Sequence, residues 1–168
     1  MFATRSSSAL AFGLVLTIGG AMNPAAGQDS LRFEYAAKII CGAPDRPAVA
    51  PGRYYTAINV HNPASRVIVL RKKFALTGAA EASITPTPFR WKKLGADYAF
   101  EVDCTNRDLL DRKFVKGFAV IQAPVEIDVV AVYTAGSAMR TPDSGADSLQ
   151  TMEIERVPPR PMMPVAIP

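Results

Sequence analysis

The stretch Phe114–Tyr133, FVKGFAVIQAPVEIDVVAVY, constrains the fold of this chain more than any other. It is the segment richest in β-branched residues, which favour a pleated, half-buried surface over a helix. Its period is two. Val115, Gly117, Ala119 and Ile121 share one face of a first arm, and Val125, Ile127, Val129, Ala131 and Tyr133 share one face of a second. Alternation is clean at the polar ends and fades in the middle, where both faces turn apolar. That pattern places both arms inside a sheet rather than at its edge. Gln122-Ala123-Pro124 between them reads as a tight connection, so a central hairpin is expected, with the other strands paired to it or packed on it.

The same alternation recurs along the chain. Leu31–Ile40, Arg53–Asn62, Arg66–Leu76, Phe89–Leu94, a run ending at Cys104 and Leu149–Val157 all read as strands. Loops rich in Pro, Gly and small polar residues separate them, over 45–52, 77–88 and 135–148. Only Thr105–Lys113, charged and holding Leu109-Leu110, is left for a helical turn. Seven or eight short strands punctuated by turns predict an all-β domain over 28–157. Its expected architecture is an antiparallel β-sandwich, immunoglobulin-like in general arrangement, with a small β-barrel as the alternative. Residues 158–168 carry five prolines, which withdraw donors from any ladder, and predict a disordered, extended tail.

Residues 1–27 have the make-up of a secretory signal peptide: Arg5 near the start, an apolar run Ala9–Ile18, and small residues ending in Ala25-Ala26-Gly27. The run is too short and Gly-rich for a span of about 20 apolar residues, so no stable membrane span is expected after cleavage. A secreted or periplasmic product follows. The formal net charge of +4, with Arg5 in the leader, is too slight to imply a nucleic-acid partner. Two cysteines in an exported chain suggest a disulfide. Cys41 lies in phase with Phe33, Tyr35, Ala37 and Ile39, and Cys104 with Tyr98, Phe100 and Val102, which allows one bridge across the core. Two buried free thiols are the alternative.

Catalytic patterns are scarce. His61 is the single histidine, so a multi-His zinc site is excluded, and a Cys/His site would consume both cysteines. There is no Gly-x-Ser-x-Gly elbow, Walker loop or Gly-x-Gly-x-x-Gly. No catalytic residue, metal ligand or cofactor is assigned. His61, before Asn62-Pro63, reads as a strand-end residue rather than the base of a triad. Glu101 with Asp103, Glu126 with Asp128, and Glu153 with Glu155 form period-two carboxylate pairs, in the phase a solvated face needs. Tyr54, Tyr55 and Trp91, together with His61, are the candidates for an interaction surface, with Phe89 as a further aromatic candidate and an outward tyrosine beside Trp91 forming an apolar patch.

Two functional classes fit. The first is a non-catalytic binding or structural role in the cell envelope or outside the cell, with a protein or glycan partner that the sequence does not specify. The alternative is a hydrolase acting on cell-surface polymer, which needs two carboxylates from different strands facing each other across a cleft.

Glu34-Tyr-Ala-Ala-Lys-Ile-Ile-Cys-Gly42, Tyr55-Thr-Ala-Ile-Asn-Val-His-Asn-Pro63, Phe114-Val-Lys-Gly-Phe118, Asp128-Val-Val-Ala-Val-Tyr-Thr134 and Glu155-Arg-Val-Pro-Pro-Arg160 form an ordered set of motifs. With them the chain resembles a group of small exported prokaryotic proteins of uncharacterised function. The resemblance implies export and one compact domain. It implies no ligand and no catalytic residue.

Overall fold

The computed structural model describes residues 30–44, 49–78, 82–136 and 149–168. The signal peptide expected over 1–27, and parts of the loops expected over 45–52, 77–88 and 135–148, lie outside the described residues. Nine strands run in chain order among those described: β1 (Ser30–Gly42), β2 (Arg53–His61), β3 (Ile68–Leu76), β4 (Arg90–Leu94), β5 (Ala99–Asp103), β6 (Phe114–Ala123), β7 (Asp128–Gly136), β8 (Leu149–Arg156) and β9 (Arg160–Ala166).

They form two antiparallel layers. The first has the order β4-β3-β6-β1, with β9 on the far edge of β1. The second has the order β5-β2-β7-β8. The layers join at one backbone pair, Gly42 opposite Tyr54. Among the described residues β4 pairs only with β3 and β8 only with β7, so the described strands do not close into a barrel. Central pairs β1/β6 and β2/β7, flanked by β3 and β8, give the neighbour relations of an immunoglobulin-like sandwich.

The inward phase of each strand follows from its sequence. Tyr35, Ala37, Ile39 and Cys41 of β1, Ile58 and Val60 of β2, Leu70 and Phe74 of β3, Ile121 of β6 and Val129 and Ala131 of β7 form one buried cluster between the layers. The few polar groups carried inside are paired. Thr56 donates its hydroxyl to Ile40 O and accepts Ile40 N–H, at 2.9 and 3.0 Å. Gly42 turns the chain from one layer towards the other at φ +88°, where a Cβ would lie 2.0 Å from Lys113 O. Only glycine suits that corner.

Three expectations need correction. Phe114–Tyr133 is not a hairpin: β6 pairs with β1 and β3, β7 with β2 and β8, and Pro124–Ile127 carries the chain from one layer to the other. The two-residue turn chemistry of a hairpin is absent there, and the apolar flanks on both arms suit strands with a neighbour on each side. The crossover is held inside by Ile127 N–H, which donates to the buried Tyr35 hydroxyl at 2.8 Å.

The Pro-rich end is not a free tail, because Arg160–Ala166 pairs with β1. Ile40 N–H points away from β6 to Thr56, and Glu34 shares its phase. Phe33, opposite Pro161, therefore turns its backbone groups towards β6 and asks no donor of the proline. Between Leu31 and Phe33 the register shifts, so that Met162–Pro164 bulge.

The third correction concerns Thr105–Lys113. It folds as tight turns, with Leu109 N–H donating to Asn106 O and Arg112 N–H to Leu109 O, and not as a helix. These turns bury Leu109 against the core.

Candidate functional site

The four residues singled out for an interaction surface do not come together. Adjacent on β2, Tyr54 and Tyr55 point to opposite faces as the pleat requires. Tyr54 is half-buried, edge-on to Phe114 at 6.3 Å between ring centres. Tyr55 faces out of the second sheet and donates its hydroxyl to Asp103 at 2.7 Å, a bond that pushes its pKa up to about 12. Trp91 lies on β4 of the first sheet, so the expected tyrosine–tryptophan patch does not form. His61 sits at the far end of β2.

There His61 clamps three segments. Its Nδ1 lies 3.0 Å from Asp128 at the start of β7, and its Nε2 lies 3.0 Å from Asp97 in the β4–β5 turn. Arg156 also reaches Asp128, at 3.1 Å. The hydrogen bond to Asp128, then that to Asp97, raises the imidazole pKa above its ordinary 6.5. A raised folded-state pKa means the clamp's stabilisation is full below the unfolded value and is lost as pH rises through the folded one. Thermal midpoints of wild type and His61→Asn should thus differ most below pH 6.5 and draw together as the pH rises above it. A difference constant across that range contradicts the clamp.

Two clefts flank Tyr54. A space of about 500 Å³ at the end of the sandwich is lined by the Cys41–Cys104 disulfide, Tyr54, Tyr55, Leu109, Leu110 and the cations Arg53 and Arg112. A second, of about 380 Å³, opens between β1 and β8 and is lined by Lys38, Ile40, Tyr54, Tyr133, Glu153 and Glu155. There Tyr133 donates to Glu155 at 2.7 Å, and burial, then that bond, raises its pKa. Glu153 and Glu155 take the phase that turns to this cleft, while Met152 and Ile154 are exposed at 57% and 62%. The two glutamates belong to one strand, not to opposed strands as the hydrolase alternative requires. Among the described residues no group of three His, Cys, Asp or Glu side chains is placed to hold a metal ion.

The most developed surface is the outer face of the first sheet. Its register aligns Trp91, Arg71, Gln122, Glu34 and Arg160 in one row across β4, β3, β6, β1 and β9. The centre of the row is tied: Arg71 Nε donates to Gln122 Oε1, and Gln122 Nε2 donates to Glu34 Oε2, both at 2.8 Å. The Arg71 guanidinium lies 4.1 Å from the Phe89 ring centre and 5.3 Å from that of Trp91. The Lys73 ammonium lies 4.6 Å from the same Phe89 ring centre, and Lys38 stands 5.1 Å over Phe118.

Charge is segregated by face. The outward phase of the first sheet carries Arg71, Lys73, Lys93, Lys116, Lys38 and Arg160 against Glu34. The outward phase of the second carries Glu101 and Asp103 on β5, with Asp128 and Asp97 at its end and Arg53 and Arg156 as counter-charges. Along the sequence Arg71-Lys72-Lys73 and Arg90-Trp91-Lys92-Lys93 are two separate basic clusters. The pairing of β3 with β4 is what merges their outward members. Lys72 and Arg90 take the inward phase, where burial lowers the Lys72 pKa and Arg90 makes a two-point bond to Asp108.

No helix among the described residues is long and apolar enough to cross a membrane. No family model, curated protein or solved structure matches the chain.

Proposed function

We propose that this is an exported protein, secreted or periplasmic, that works as a non-catalytic binding or structural β-sandwich with a protein or glycan partner in the cell envelope. The leader-like segment 1–27 and the resemblance to small exported proteins support the location. The excess of cations on one sheet face and of carboxylates on the other carries the binding role, because a polarised surface orients and selects a partner. Nothing in the cleft geometry favours the hydrolase alternative.

Co-purification of the tagged protein from its native envelope fraction, under non-reducing conditions with mass spectrometry, tests this. The expected result is a stoichiometric partner that is lost with the double variant Arg71→Glu, Lys73→Glu. A clean monomer that degrades a cell-surface polymer would overturn it. Intact mass in the same sample should begin near Gln28.

A further inference from the structure

We infer that the outer face of the first sheet is a binding platform for an acidic polysaccharide, a chain of carboxylated sugars lying across β4, β3 and β6 towards β1. The inference rests on the binding role proposed above and names its ligand class. Aromatic and cationic side chains alternate on this face: Trp91 and Phe89 beside Arg71 and Lys73, then Phe118 beside Lys38. Adjacent strands are about 4.8 Å apart, close to the repeat of a pyranose chain, so successive sugars can meet successive strands.

Arg71 is the anchor. Its Nε is committed to Gln122, and its guanidinium carbon lies within 4.1 and 5.3 Å of two ring centres, so the group is held in place before any ligand arrives. Its two terminal nitrogens carry no hydrogen bond among the described residues. A fixed guanidinium fork suits the two oxygens of a carboxylate. The rings supply what a simple anion exchanger lacks. Trp91 and Phe118 are 41% and 37% exposed, which leaves ring surface for the C–H face of a sugar.

Other polyanions fit less well. A lipid surface calls for apolar side chains standing clear of the cations, whereas each exposed ring here has a cation against it. A nucleic acid, with a phosphate at every nucleotide, calls for a denser positive field than one interrupted by Glu34 in its central row.

The test is affinity electrophoresis and calorimetry of the full mature chain against polygalacturonate, with neutral dextran as control. Wild type should bind polygalacturonate and not dextran. Arg71→Gln should weaken binding at least about tenfold, the loss expected for a charge-assisted two-point contact. Trp91→Ala should weaken it several-fold, and Glu101→Gln, on the other sheet, should leave it unchanged. Both Arg71→Gln and Trp91→Ala lie on the surface, and unfolding midpoints near that of wild type would show that each is folded. Absent binding, or binding insensitive to both variants, overturns the inference. So does tighter binding, through the same residues, to single-stranded DNA or to vesicles of anionic phospholipid. If polygalacturonate fails while the envelope experiment yields a different partner, the binding role stands and only this ligand class falls.

Discussion

Protein carrying Cys41→Ser and Cys104→Ser should unfold with a free energy roughly 4 kcal/mol below that of the oxidised protein. The magnitude follows from chain entropy. The bridge spans a sequence separation of 63, and a cross-link of that length removes many conformations from the unfolded ensemble. Its location adds to the effect. It pins the end of β1 to the residue after β5, so one bond ties the first sheet to the second beside the Gly42–Tyr54 junction. Thr56 N–H also donates to Cys104 Sγ at 3.2 Å. Urea unfolding of wild type, the double serine variant and reduced wild type checks this. The last two should coincide at a midpoint well below the first. Equal midpoints for all three would mean that the core alone fixes the layers.

Asn62→Ala is the second large effect, a loss of about 3 kcal/mol, as expected when several buried polar groups are orphaned together. Asn62 is fully buried. Its amide nitrogen donates to Arg66 O, Leu94 O and Gly95 O at 2.9, 3.3 and 2.7 Å, and its side-chain oxygen accepts Ala64 N–H at 3.1 Å. Its backbone joins in, donating to Tyr98 O and accepting Asp97 N–H. One side chain thus stitches the turn after β2 to the β4–β5 turn. Asn62→Asp keeps the acceptor and loses the donors, so it should fall nearly as far as alanine in the same urea series. A loss under 1 kcal/mol for both variants would show that water replaces the amide.

These predictions also mark what was legible in the sequence. Period-two alternation identified the inward residues of β1, β2, β3, β6 and β7, because burial on one face leaves a direct trace in residue type. The phase of Cys41 marked it as inward-facing for the same reason, and the bridge to Cys104 is present. Pairing was less legible. β6 and β7 are joined by a short connection, and a short connection between strands suggests a hairpin, yet it crosses the sandwich instead. That choice depends on neighbours far away in sequence, such as Tyr35, whose hydroxyl receives Ile127 N–H. β9 was hidden because proline disfavours strands in general, whereas this edge position requires no donor from Pro161.

The candidate surface was legible only in pieces. Trp91 and Phe89 were singled out, but Arg71, which lies against both rings, was not, since it becomes their neighbour only through the β3–β4 register. Tyr55 was singled out with them and lies on the other sheet. His61 was read as a strand-end residue, which it is, and its two carboxylate partners come from positions 36 and 67 residues away.

The central claim is that the outer face of the first sheet is the working surface. Lysine acetylation footprinting of the protein in envelope extract, against the purified protein alone, tests it most directly. Lys38, Lys73 and Lys93 should lose reactivity in the extract, while Lys113, on the turns after β5, should keep it. Unchanged reactivity at all four, or protection confined to Lys113, would contradict the account.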